Sequence, residues 1–478
     1  PWTDAASVAA ESSRLVLLLS ATYEQEMRAA LPGVAPQRIF SLAEVMAAAA
    51  TEAEFQAVRR GIASRAAELV CALKASIRPG GQSVCFVSHN PGDWSLDIML
   101  ELRARGWSVA LVCLGAPDSA PDSTLYGPQG EQLAVRHAEP TEAALQSVLL
   151  AALGQYQPFR LVHSWAMLQN HAFMKALTDL GIPLAASFED FFPLLAEDQG
   201  YAEAFSASQG LRAQELIELW REVFGRCRGI IIKDSPVAVR LLEERHGFAN
   251  ANILYALPPV GQRAAQGHSH EPGRPVRVCL AQSVHSTIIS SWTGSAPYFL
   301  EQIKAYTALG LDFTLFNNYD NGSGRSFNCF REAEERNPLF HYRQRLPYEA
   351  LCEELPAYDF GALWHHPALV RRHPSAYRIN LQLKVLTYLY AGLPTLAPVA
   401  LEWCSDVVER LGIGLSFADD EGRGLAQRLE RFDRPACELR MAQARQTLNI
   451  RDYAAKLDGF FLSLGPAGSS AAKQGERA

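Results

Sequence analysis

Residues 380–398 read Asn380-Leu381-Gln382-Leu383-Lys384-Val385-Leu386-Thr387-Tyr388-Leu389-Tyr390-Ala391-Gly392-Leu393-Pro394-Thr395-Leu396-Ala397-Pro398, and this stretch decides the fold. Its first half is helical in pattern, because Leu383, Leu386, Tyr390 and Leu393 recur at helical spacing. Gly392 supplies the left-handed position on which helices end, and Pro394 forbids continuation. Thr395-Leu396-Ala397 then reads as a short buried strand. A helix that stops at Ala-Gly-Leu-Pro and drops into a strand is one αβ step of an open parallel sheet. Ligands of such sheets bind at the carboxyl edge of the strands, near helix N-termini. Asn380 and Lys384 fall where this helix is expected to begin.

The whole chain bears this out in its proportions. A length of 478 residues exceeds a single hydrophobic core and suits two domains with an additional piece. A formal charge of -7, with no run of Lys or Arg, carries no electrostatic footprint for nucleic acid. The longest apolar runs, such as residues 15–19, are too short to span a bilayer. Pro1-Trp2-Thr3-Asp4 lacks the basic start of a signal peptide. Nine cysteines are scattered and never form C-x-x-C, so neither a zinc site nor a disulfide framework is indicated. Cys85, Cys113 and Cys279 sit inside apolar strand patterns as reduced thiols, which points to a cytoplasmic compartment.

Residues 1–78 read as an N-terminal α/β extension: strand 15–19, helix 23–30, a strand or turn at 38–42, and Ala-rich helical stretches at 43–50 and 52–75. Strand–helix alternation fills 79–260. Strands are expected at 84–88, 109–114, 160–163, 184–188, 229–232 and 253–255, with helices at 96–105, 170–180 and 211–224. Ser235 and Pro236 mark a further helix start as N-cap and first residue. Residues 261–274 are polar and Gly-rich and form a linker, in which His268 and His270 read as solvated. Alternation resumes over 275–449, with strands at 276–280, 313–317, 340–343, 360–364 and 395–397. Helices there are expected at 297–309, 348–355, 381–390, 405–411 and 422–432. Residues 440–464 are largely helical, and 450–478 make a C-terminal helix and a tail of small and charged residues. The expectation is an α/β protein of two Rossmann-like, doubly wound domains with a ligand cleft between them.

This order of elements, ending on K-x-x-x-Y-L-x-A-G-L-P, resembles the GT-B superfamily of nucleotide-sugar-dependent glycosyltransferases. Asn380, Lys384, Tyr388, Leu389, Ala391, Gly392, Leu393, Pro394 and Ala397 carry the resemblance. The stretches Tyr358-Asp359-Phe360-Gly361-Ala362-Leu363 and Arg226-Cys227-Arg228-Gly229-Ile230-Ile231-Ile232-Lys233-Asp234-Ser235 are similar to steps of the same family. Many retaining members carry two glutamates here with seven residues between them; in this chain those positions are Ile379 and Thr387. In another part of the superfamily the lysine of N-x-x-x-K contacts the donor diphosphate. The resemblance implies transfer of a sugar from a nucleoside-diphosphate sugar to a hydroxyl of a glycan, lipid-linked or protein acceptor. It implies no cofactor beyond that co-substrate and no metal, and peripheral contact with a membrane is compatible with it. The absent glutamates favour inversion, and they keep open a non-catalytic scaffold or partner protein; an epimerase on the same fold is the other alternative.

Several side chains are candidates for the site. Lys384, with Arg378 just before it, lies where a helix N-terminus can face a diphosphate. Asn380 serves either as a ligand contact or as an N-cap, Thr387 offers a hydroxyl, and Gly392 shapes the turn. His365 and His366 follow a strand at its carboxyl edge, suited to hydrogen bonds with a sugar or phosphate. His285, with Gln282, Ser283 and Ser286, follows the first strand of the second domain. In the first domain Asp93 and His89 are the candidate bases for an acceptor hydroxyl, with Glu189 or Asp190 behind them. Asp93 equally suits a helix cap, and His163 reads as structural.

Overall fold

Alternate residues of the first two strands feed two separate cores. In β1 (Ser83–Ser88) and β2 (Ser108–Cys113), Cys85, Val87, Ala110 and Val112 enter one apolar cluster, while Val84, Phe86, Val109 and Leu111 enter another. Period-two alternation with both faces apolar is what a fully covered parallel strand requires. The computed structural model describes residues 52–75, 82–88, 93–113, 134–135, 142–156, 159–166, 171–188, 191–208, 211–261, 274–282, 284, 296–318, 327–363, 365–418 and 422–464. The elements expected before residue 51, most of the 261–274 linker and the tail beyond 464 lie outside the described residues.

Among the described residues, the first sheet has seven strands: β3 (Ala134–Val135), β2, β1, β4 (Leu161–Ala166), β5 (Leu184–Phe188), β6 (Gly229–Ile232) and β7 (Ile253–Tyr255), side by side in that order. All its pairings are parallel. The helices Glu52–Ala75 and Glu142–Gln155 pack together, and Leu69, Leu73, Leu149 and Leu153 from them join the core on one face. The other face is covered by Asp93–Ala104 and by the last helix of the described chain, Ile450–Ser463. Tyr453, Leu457 and Phe461 bury against Phe86 and Trp107, and the Trp107 indole N–H donates to Asp458 at 2.9 Å. The chain thus returns to its first sheet at its end.

The second sheet repeats the order with six strands: β10 (Phe340–Arg343), β9 (Asp312–Asn317), β8 (Arg277–Gln282), β11 (Phe360–Ala362), β12 (Thr395–Pro398) and β13 (Gly414–Phe417). These are also parallel throughout. Both sheets therefore reverse strand order beside their first strand, at β1/β4 and at β8/β11, and each reversal opens a crevice at the carboxyl edge.

The opening stretch folds nearly as its pattern predicts. Gly392 has φ 77° and ends the helix Lys384–Ala391 with a Schellman turn: its N–H donates to Leu389 O and that of Leu393 to Tyr388 O. The helix start differs. It begins at Lys384, not at 381, because a separate short helix, Pro374–Ile379, precedes it and ends at Asn380. Residues 381 and 382 are drawn out by bonds to other parts of the chain and cannot join either helix. Asn380 is therefore a closing residue, its N–H donating to Ala376 O at 3.0 Å, rather than an N-cap. Strand β13 and the helices Glu142–Gln155 and Asn328–Arg336 were not expected from the pattern, and residues 440–464 divide into Arg434–Thr447 and Ile450–Ser463. Asn449 makes that break, its side chain accepting from the N–H of Asp452.

Tyr388 explains its own place in the motif. Its buried hydroxyl donates to Ala362 O at 3.0 Å and accepts from the N–H of Ala281 at 3.1 Å, tying β11 to β8 across the reversal point. The ring lies over Gly361, where a Cβ would meet it at 2.6 Å. Tyr388→Phe leaves both backbone groups without that partner in the core and is expected to lower stability by about 1–3 kcal/mol. Gly361→Ala is expected to cost a similar amount through overpacking, about 1–3 kcal/mol. Chemical denaturation of the two variants measures both.

Candidate active site

The carboxyl edge of the second sheet is lined with buried polar groups. β8 ends on Gln282 and β9 on Asn317, both buried. The Asn317 side-chain oxygen accepts from the N–H of Val284 at 3.0 Å, and its amide donates to the Tyr342 hydroxyl at 3.1 Å. These bonds fix the start of the loop after β8. On the other side of the reversal, β11 leads through Leu363 to His365 and His366. His365 is buried. His366 accepts from the N–H of Ala368 through Nδ1, which leaves Nε2 to donate to Glu301 at 2.7 Å, and its ring lies 4.4 Å from that of Tyr298. Both histidines sit at the crevice of the second sheet, and His366 is already held by a carboxylate.

Lys384 is the first residue of its helix, and the N–H groups of Val385 and Leu386 behind it donate to Gln382 O at 3.0 Å and Leu383 O at 2.9 Å. Its residue surface is only partly covered, yet its ammonium is packed among protein atoms. Loss of solvent lowers its pKa to about 8, with the nearby Cys404 thiol acting weakly in the opposite sense. No carboxylate among the described residues pairs with it. The expectation of a cation at this helix start thus meets a lysine that is more enclosed than a surface residue.

The segment in front of Lys384 is gripped from two sides. From the first sheet, the residues after β6 reach across: the Ser235 N–H donates to Ile379 O at 2.9 Å, and the Leu381 N–H donates to Asp234 Oδ1 at 2.8 Å. Lys233 Nζ lies 3.2 Å from the same Asp234 oxygen and donates to Leu381 O at 3.4 Å. From the second sheet, the Cys404 thiol donates to Asn380 O at 3.2 Å and accepts from the N–H of Gln382 at 3.3 Å. Burial pushes that thiol up to about 12, so it stays protonated and able to donate. The Trp403 indole N–H donates to Lys233 O at 3.3 Å and closes the ring of contacts.

The helix Pro374–Ile379 is also tied to the first sheet's body. Glu197 accepts from the N–H of Ser375 at 3.1 Å, as befits a carboxylate at a helix N-terminus, and pairs with Arg245. The His373 Nδ1–H donates to Leu195 O at 3.0 Å. Ala376 and Ile379 are counted in the hydrophobic core of the first sheet. Ile379, where retaining members of the resembling family carry a glutamate, is 2% exposed and serves packing between the two sheets.

The other expected residues are placed as follows. Arg378 is exposed and donates to Glu402 at 2.9 Å, so it meets the first turn of the helix Glu402–Leu411. Thr387 lies beside the phenol of Tyr348, a half-exposed side chain. Asp93 opens the helix Asp93–Ala104 beyond β1, at the crevice of the first sheet. His163 is buried in β4 with Nε2 2.9 Å from the Ser187 hydroxyl, and desolvation lowers it to about 3. His89, His285, Ser283, Ser286, Glu189 and Asp190 lie outside the described residues. Lys233, Asp234 and Cys404 were missed as members of the site. The signal was present in Lys233-Asp234, a charged pair set directly after the fully apolar run Ile230-Ile231-Ile232.

Two doubly wound parallel sheets whose carboxyl-edge segments meet define a GT-B fold. Solved structures share it. A sucrose-phosphate synthase from Thermosynechococcus elongatus matches 80% of this chain and 99% of its own with a TM-score of 0.55 at 13% identity. The Anabaena protein HepE, in complex with UDP-glucose, matches 80% of this chain and 99% of its own with a TM-score of 0.51 at 12% identity. A UDP-forming α,α-trehalose-phosphate synthase from Burkholderia xenovorans matches the same shares, 80% and 99%, with a TM-score of 0.50 at 10% identity. No family model matches the sequence, and no curated protein matches it. At these identities the likeness is one of fold. No described helix is long and apolar enough to cross a membrane.

The lysine gives the site a pH signature. An unfolded lysine titrates near 10.5 and Lys384 near 8, so between those values the folded chain holds fewer protons than the unfolded one. Stability therefore rises with pH across that window, and below pH 8 the full cost of enclosing the ammonium is present. Lys384→Met is expected to be more stable than wild type at pH 7 by about 1–2 kcal/mol, a figure reduced for the partial exposure of the residue. That difference is expected to close as pH approaches 10.5. Thermal denaturation of both proteins over a pH series measures it.

Proposed function

We propose that this chain is a glycosyltransferase that takes a nucleoside-diphosphate sugar at the carboxyl edge of the second sheet. It moves the sugar to a hydroxyl of a glycan, lipid-linked or protein acceptor presented at the first. The observation that carries this reading is Lys384: a cation with no carboxylate partner among the described residues, at a helix N-terminus beside the reversal of strand order. The helix dipole and the ammonium together suit the charge that gathers on a departing diphosphate. An anion there also relieves the cost of enclosing the lysine. HepE with bound UDP-glucose and the UDP-forming trehalose-phosphate synthase support UDP as the nucleotide to try first.

On this reading the acceptor oxygen forms the new bond to the anomeric carbon as the bond to the diphosphate breaks, and the acceptor proton passes to a base. Asp93, at the crevice of the first sheet, is proposed as that base, with His89 as the alternative. Ile379 offers no carboxylate near the donor, which favours a single displacement with inversion. The sequence has no Asp-rich diphosphate motif, and Lys384 with Arg378 supplies positive charge, so no metal is invoked. His365, His366 and His285 are proposed to face the donor, and the reaction is assigned to the cytoplasm.

Calorimetry with UDP is the first test. Lys384→Ala is expected to weaken UDP at least roughly 10-fold, the value of a charged hydrogen bond. Asp93→Asn is expected to lower kcat by about 100-fold or more while leaving UDP affinity within about twofold. Nucleotide release from the sugar donor that requires an acceptor supports transfer. Release of an altered sugar without one supports an epimerase, and absence of binding by any nucleoside diphosphate supports a non-catalytic scaffold.

A further inference from the structure

The grip on residues 379–382 has a consequence for the donor helix. We propose that the buried Lys233–Asp234 pair is a positioning pair for Lys384: through Leu381 it sets where the donor helix starts, so that the first sheet's body controls nucleotide binding on the second. The inference rests on the donor role proposed for Lys384.

Three observations support it. Lys233 and Asp234 are both buried, with side-chain exposures of 6% and 1%, and they engage both backbone groups of one residue, Leu381. Charge-assisted bonds of this kind are strong and directional, and burial strengthens them further. Leu381 lies three residues before Lys384, and the intervening Gln382 N–H is held by Cys404, so the path from the pair to the helix N-terminus has little slack. The pair also stands on the opposite side of the chain's main division. It follows β6 of the first sheet, whereas Lys384 precedes β12 of the second. A shift of the first body relative to the second therefore pulls on the donor helix start through Leu381, the gripped residue nearest Lys384, as well as through the Ser235–Ile379 bond behind it. Neither Lys233 nor Asp234 is given any contact with the nucleotide.

The test uses the full chain with UDP as the probe, read by calorimetry, together with hydrogen exchange at the Leu381 amide. Asp234→Ala is expected to speed that exchange at least about 10-fold and to weaken UDP by a similar factor. Asp234→Asn keeps an oxygen for the Leu381 N–H and is expected to restore UDP affinity to within about threefold of wild type. Gly229→Ala is the destabilised control: its Cβ would meet the Phe460 ring at 2.7 Å at the far end of β6, and it is expected to leave UDP affinity unchanged. Faster exchange at Leu381 with unaltered UDP affinity would overturn the positioning role. Equal weakening in Gly229→Ala would overturn it too, by reducing the effect to general instability. If wild type binds no UDP, the donor reading fails and the positioning role falls with it. The Leu381 exchange then still reports whether the pair grips the segment.

Discussion

Residues 373–382 have to satisfy two hydrophobic cores at once. The chain leaves β11 of the second sheet and gives Ala376 and Ile379 to the core of the first. It then returns through Leu381 to begin the helix that carries Lys384. At the start of the helix Pro374–Ile379 and in the extended stretch 380–382, backbone groups lack helix or sheet partners, and leaving them unpaired in a buried place is costly. The structure meets this with side chains: Asp234 and Lys233 for Leu381, Cys404 for Asn380 and Gln382, and Glu197 for the N–H of Ser375. The position and start of the donor helix follow from that solution. The apolar residue at Ile379 belongs to it as well, since a carboxylate there would enter an apolar core without a partner.

The electrostatics of the crossing are uneven. Lys233 has Asp234 beside it, and Arg378 has Glu402. Lys384 alone of these cations has no carboxylate opposite it among the described residues, and desolvation lowers its pKa to about 8. At neutral pH it still carries most of its charge. A cation held in place without a counter-charge is disfavoured in the free protein and favoured once an anion arrives, which is a form of preorganisation for a phosphate. Cys404 serves the same place differently. Its thiol stays neutral and shapes the backbone without adding charge.

Much of the fold was legible because it rests on local pattern. The runs 184–188, 229–232, 253–255 and 340–343 are strands at those limits, and helix 52–75 and the Ser235–Pro236 start are where the sequence placed them. Gly392 revealed its left-handed turn because few residues besides glycine adopt it readily. The helix Pro374–Ile379 was not legible, since its stability comes from Glu197 and from the first sheet's core, far away in sequence. For the same reason Asn380 looked like an N-cap. Asp359 shows the converse case. It belongs to the family-like stretch 358–363 yet accepts from the N–H of Arg277 and from Arg274 at the amino edge of the sheet, so its role is structural. The members of the site that were missed, Lys233, Asp234 and Cys404, act across the division between the two sheets, where spacing along the chain carries no information.

The most direct measurement is a crystal structure of the chain with UDP bound. The diphosphate is expected at the N-terminus of the helix Lys384–Ala391, within hydrogen-bonding distance of the Lys384 ammonium, with the nucleoside lying along the carboxyl edge of the second sheet. UDP seated instead at the carboxyl edge of the first sheet, or bound with Lys384 turned away from its phosphates, would contradict the assignment of the donor site.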